Sequence, residues 1–161
     1  MTALLVPGLI WCGRMPSLAG AAFRMGDAPP DVALSNLRGE SFRIPSGFAG
    51  KVVVIHFWAS WCPTCLGEMM SLESVYREYP RKEVIPCSIG LGEKKETALR
   101  YLKNVEISYP VLLDPVSSTR KLYGVAGIPT YFIIDRGGLI RQKILGKADP
   151  AGLNRMIRSL L

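Results

Sequence analysis

Val52-Val53-Val54-Ile55-His56-Phe57-Trp58 runs without a break into Ala59-Ser60-Trp61-Cys62-Pro63-Thr64-Cys65, and this stretch decides the fold. The first part is β-branched and aromatic apart from His56, so it reads as a central strand covered on both faces. From Pro63 to Tyr79 the apolar positions Leu66, Met69, Leu72, Val75, Tyr76 and Tyr79 recur at three and four residues, which predicts a helix. The two cysteines therefore lie where a buried strand hands over to a helix.

Working outward, Asp27 to Pro30 reads as a linker. Leu34 to Ile44 reads as a hairpin turning at Arg38-Gly39, and Pro45 to Lys51 as a loop. Downstream, Val84 to Ile89 is a second buried strand, Glu93 to Val105 a helix and Tyr109 to Leu113 a short strand. Ser117 to Tyr123 is helical up to Gly124. Tyr131 to Ile134 and Leu139 to Leu145 form a hairpin around Arg136-Gly137-Gly138, and Pro150 opens a last helix through Leu161. The order is β-hairpin, βαβαβα, ββ, α. Alternating strands and helices predict an α/β domain with a mostly parallel central sheet and an antiparallel hairpin at its edge.

The chain has 161 residues, 48% hydrophobic and 20% charged, which suits one compact domain. Its net charge of +7 and pI near 9.4 are spread over dispersed residues such as Arg100, Lys121 and Arg155, with Glu93, Glu96 and Glu106 among the basic ones. No block of like charge and no aromatic–basic interleaving points to nucleic acid. The four cysteines are too sparse for a disulfide framework.

Residues 1–26 read as a signal-like or flexible segment. Ala3 to Cys12 is apolar but broken by Pro7 and Gly8, too short for an ordinary membrane-spanning helix. It fits the apolar part of a signal peptide, with Ala19-Gly20-Ala21 as a cleavage site, although nothing basic precedes Ala3. The predicted location is extracytoplasmic.

At the junction, the helix N-terminus carries about half a positive charge and unpaired N–H groups, which stabilise a thiolate on Cys62. Pro63 suits the first helical position, where a missing N–H costs nothing. Cys65, shielded inside the helix, can close a ring with Cys62. One thiol can then attack a foreign disulfide and the other resolve the mixed disulfide. A C-x-x-C is also half of a zinc site, but the remaining candidates, His56, Cys12 and Cys87, are scattered singles, so no metal is predicted.

Glu68 shares an apolar helix row with Leu72, Val75 and Tyr79 and should lean toward the core beneath the cysteines. There it could shuttle the proton of Cys65, or it could be a first-turn glutamate complementing the helix dipole; periodicity leaves both open. His56 reads as a satisfied core histidine and Cys87 as a small buried apolar residue. Pro129, in Gly127-Ile128-Pro129-Thr130, reads on its own as a turn proline ahead of a strand.

Phe57 to Cys65 together with Gly127 to Thr130 resembles thioredoxin. The extra helix and strand between Gly92 and Leu113 resemble the TlpA/ResA/CcmG-type redoxins. This resemblance covers residues 27–161 and implies a thioredoxin fold: a central mixed sheet flanked by helices, with an N-terminal β-hairpin and an inserted αβ unit. It implies that Cys62, Cys65, Glu68 and Pro129 are catalytic, with Pro129 cis and packed on the cysteine pair. It also implies that Trp61, Pro63, Thr64 and Ile128 meet the substrate. His56 stands where thioredoxin has a buried aspartate, so that proton relay is absent.

The implied activity is reduction of protein disulfides in the bacterial envelope by a monomer without cofactor. The implied substrate is an apocytochrome c or another envelope thiol protein, and an upstream membrane donor supplies electrons, with a tether to the membrane through the N-terminus as one arrangement. Two rivals are a peroxiredoxin-like thiol peroxidase, whose Pro-x-x-x-Thr-x-x-Cys pattern is missing around Cys62, and a thioredoxin-like copper chaperone, which needs a histidine after the cysteine pair.

Overall fold

A computed structural model describes residues 23–79 and 83–161; the expectations for the signal-like segment and for Cys12 lie outside these residues. The N-terminal hairpin is β1 (Val32–Asn36) and β2 (Ser41–Ile44). Asn36 Oδ1 accepts from the N–H groups of Arg38 and Glu40, each at 2.9 Å, and Gly39 takes a φ of 88° to close the turn. The expected loop after it contains a 3-10 turn, Ser46–Phe48.

Next come β3 (Val52–Trp58), α1 (Cys65–Arg77), β4 (Val84–Leu91), α2 (Lys95–Tyr101), β5 (Val111–Asp114) and α3 (Ser118–Leu122). The chain finishes with β6 (Thr130–Ile134), β7 (Ile140–Leu145) and α4 (Pro150–Arg158). Asp149 caps α4 by accepting from Gly152 N–H at 2.8 Å, with Pro150 at the first helical position.

The seven strands form one sheet in the order β2-β1-β5-β4-β3-β6-β7. Only β3, β4 and β5 are mutually parallel; every other pairing is antiparallel, so the sheet is mixed and the mostly parallel expectation holds for its centre alone. The reason lies in the hairpins. β1 joins β5 antiparallel (Ser35 opposite Leu113), and β6 returns along β3 (Val53 opposite Ile134).

Every residue of β3 is buried. Val53, Ile55 and Phe57 pack on one face with Phe132 and Tyr123, while Val52 and Val54 pack on the other with Leu72 and Ile157. Each such side chain contributes roughly 1.5–3 kcal/mol by leaving water. Ordered contacts begin before residue 27: Phe23 packs on the first of these clusters, and Gly26 N–H donates to Ile140 O at 2.7 Å.

Candidate active site

β3 ends at Trp58, and its last turn delivers Cys62 and Cys65, joined here as a disulfide with their Cα atoms 5.5 Å apart. Helix α1 begins at Cys65 and not at Pro63, because Pro63 and Thr64 form a turn closed by Cys65 N–H to Cys62 O at 3.3 Å. Pro63 is thus ahead of the helix and has no helical position to fill. Cys62 is 3% exposed and Cys65 0%, both packed with Trp58 and Met69. Beside them Trp61 is 74% exposed.

The turn is held from the inserted unit. Tyr101, on α2, stacks on Trp58 with ring centroids 5.3 Å apart, and its hydroxyl donates to Cys62 O at 3.3 Å. Glu93 accepts from Ser60 N–H at 2.6 Å while its side chain is buried. A Cβ on Gly90 would meet Glu93 at 3.0 Å and Trp58 at 3.1 Å, so a side chain there would have to push one of them aside by a few tenths of an ångström. On the far side the Ile128–Pro129 bond is cis, and Ile128 packs against the cluster that contains both cysteines. Thr130 Oγ1 fixes that loop by donating to Gly127 O.

Glu68 turns inward and is 8% exposed. Its Oε2 accepts from the Tyr131 hydroxyl and from Ala148 N–H, each at 2.8 Å. Burial and then the neighbouring Glu68 charge hold the Tyr131 phenol far above its ordinary value, so it stays a donor. Tyr131 also stacks on His56 at 4.6 Å.

The His56 hydrogen follows from counting. Tyr109 O–H donates to Met69 O at 3.1 Å, so Ser88 O–H, 3.1 Å from Tyr109, must donate to it. His56 Nδ1–H then donates to Ser88 at 3.1 Å. The remaining nitrogen, Nε2, has no protein partner among the described residues, which corrects the expectation of a satisfied histidine. Burial pushes His56 down to about 3, so the ring is neutral. Among the described residues no cluster of three or more His, Cys, Asp or Glu could hold a metal ion.

Residues 24–157 match the family model described as Redoxin. The chain belongs to the redoxin family.

Among its relatives, the thiol-disulfide oxidoreductase ResA of Geobacillus kaustophilus is 29% identical over 139 residues, 86% of this chain and 79% of that protein. The sporulation thiol-disulfide oxidoreductase A of Bacillus subtilis is 27% identical, covering 81% and 80%. A crystal structure of a thiol:disulfide interchange protein DsbE from Chlorobium tepidum superposes with a TM-score of 0.81 at 32% identity, covering 86% of this chain and 99% of that one. This redoxin has the thioredoxin-like fold and is a thiol–disulfide oxidoreductase of the ResA/DsbE type.

Three residues of the redoxin site escaped the reading of the sequence. Tyr131 had a usable signal, since a phenol in a fully buried strand needs a polar partner and Glu68 faces the same layer. Tyr101 and Glu93 lie where no periodicity marks an inward polar group.

Proposed function

We propose that this redoxin reduces protein disulfides in the bacterial cell envelope, with Cys62 as the attacking thiol and Cys65 as the resolving one. The Cys62 thiolate attacks one sulfur of a substrate disulfide; a mixed disulfide forms, and the other substrate sulfur leaves as a thiolate and takes up a proton. Cys65, deprotonated, then attacks Cys62 Sγ. The second substrate thiol is released and the Cys62–Cys65 disulfide remains. Two electrons pass to the substrate, and an upstream membrane donor restores the dithiol. An apocytochrome c or another envelope thiol protein is the substrate.

The observation that supports this reading is the Cys62–Cys65 bond at the end of β3, flanked by exposed Trp61 and by the Ile128–Pro129 loop. Ile128 makes no backbone hydrogen bond within the described residues, so its N–H and C=O are open to an extended substrate segment. Trp61, Pro63 and Thr64 complete that contact, and Thr64 Oγ1 lies 3.8 Å from Cys62 Sγ. Glu68, one turn along the helix from Cys65, is the group that takes and returns its proton.

The test is trapping. Cys65→Ser should accumulate mixed disulfides with partner proteins and Cys62→Ser should not; equal trapping by both would overturn the assignment. A couple near thioredoxin's, about −270 mV, fits a reductant, whereas one near DsbA's, about −120 mV, would favour disulfide formation instead.

A further inference from the structure

A cavity of about 700 Å³ opens beside Trp61 and Ile128 and runs away from the dithiol toward α2 and α3. Its charged lining is Glu93, Lys94 and Arg120. These three are not equivalent. Glu93 is buried at the back, with one oxygen taken up by Ser60 N–H, while Lys94 and Arg120 are exposed. Neither cation is paired with a carboxylate among the described residues, although Arg43, Arg77, Arg141 and Arg155 all are.

Arg120 is also placed in advance. Its Nε donates to Val125 O at 3.3 Å, and its terminal nitrogens make no hydrogen bond among the described residues. The helix that carries it is clamped by buried Asp114, which accepts from the N–H and hydroxyl of both Ser118 and Thr119 at 2.6–3.1 Å. A fixed guanidinium with unused donors matches a carboxylate better than a mobile one does.

We propose that this cavity is a specificity subsite: it receives an aspartate or glutamate carried by the partner protein a few residues from the cysteine that reacts with Cys62, with Arg120 and Lys94 as its ligands. The proposal rests on the reading that a partner chain is engaged at Cys62, and it adds which partners are preferred. The open surface of the cavity is cationic, so a basic side chain is repelled from the position that an acidic one occupies. The cationic ligands Lys94 and Arg120 belong to the inserted unit and its neighbour α3, although the cavity also borders Ser60, Trp61 and Ile128, so they can be changed without altering the cysteine turn.

The experiment uses the reduced full chain and a set of peptide disulfides that differ only in carrying Glu, Gln or Lys at one position within four residues of the cysteine. The expected result is a KM about threefold to tenfold lower for a Glu peptide than for its Lys counterpart, with kcat changed little. The preference should shrink as salt is raised to 1 M, where the Debye length is about 3 Å. Arg120→Glu and Lys94→Glu should each invert the order, so that the Lys peptide has the lower KM, a gain that a misfolded variant could not show. Equal KM values across the set, or an unchanged order in both variants, would overturn the subsite. Failure of the wild type to reduce any of the peptides would instead overturn the reductase reading.

Discussion

Tyr131→Phe isolates the bond that holds Glu68. The substitution removes one oxygen from a ring that is 1% exposed and leaves the stack on His56 intact. The lost hydroxyl donates at 2.8 Å to a carboxylate oxygen whose only other partner among the described residues is Ala148 N–H. Hydrogen bonds to charged groups contribute about 1.5–3 kcal/mol and neutral ones about 0.5–1.5 kcal/mol. The first range applies here, so the oxidised protein should lose about 1.5–3 kcal/mol and melt about 4–10 °C lower. Tyr123→Phe is the internal comparison, because Tyr123 donates at 2.7 Å to a neutral acceptor, Pro30 O; it should cost about 1 kcal/mol. Urea unfolding of Tyr131→Phe, Glu68→Ala and the double variant gives the coupling directly. A coupling energy of about 1.5 kcal/mol or more is expected. Additivity within about 0.5 kcal/mol, or Tyr123→Phe costing as much as Tyr131→Phe, would refute the reasoning.

Cys87 is fully buried and pushed up to about 12, so iodoacetamide at pH 8 should label Cys62 of the reduced native protein and spare Cys87 until urea unfolds it. His56 is neutral when folded and takes up a proton near its ordinary 6.5 when unfolded, so stability should fall as pH drops below 6.5, by about 1.4 kcal/mol per unit, and go on falling until about 3. Unfolding curves from pH 7 to 5 would show it, and His56→Leu should flatten that slope; an unchanged slope would mean another group is responsible. Gly90→Ala forces Glu93 and Trp58 apart and should cost about 1–3 kcal/mol, measured by thermal melting. Melting like wild type would show that Glu93 yields freely and does not fix the Ser60 loop.

Regular elements were legible because burial imprints a period. The all-buried β3, the inward row of α1 and the order of strands and helices follow from spacing alone, and Glu68 was placed inward by the same spacing. Boundaries were set by single contacts instead. Helix α2 starts at Lys95 because Glu93 is drawn inward to Ser60 N–H and Gly92 adopts a φ of 71°. Helix α1 starts at Cys65 because residues 62–65 form a turn closed by Cys65 N–H to Cys62 O. The cationic cavity was invisible for a related reason: Lys94 and Arg120 are brought to one cavity only by the fold, and nothing in the sequence sets them apart from ordinary surface charge.

The sheet is also a partition between thiols. Cys87 packs with Val53, Ile55 and Phe57 on one face, whereas Cys62 and Cys65 pack with Trp58 and Met69 on the other. That wall depends on pairings between residues distant in sequence. β3 cannot be closed on its second edge until Ile134 pairs with Val53, and β1 waits for Leu113 to meet Ser35. Until those pairings form, the sheet does not keep Cys87 apart from Cys62 and Cys65, and loop closure alone governs which of the three meet. A bond from Cys87 to either partner made in that interval ties opposite faces together and forbids the native sheet. A protein that handles disulfides is thus itself vulnerable to one, for as long as β6 has not docked.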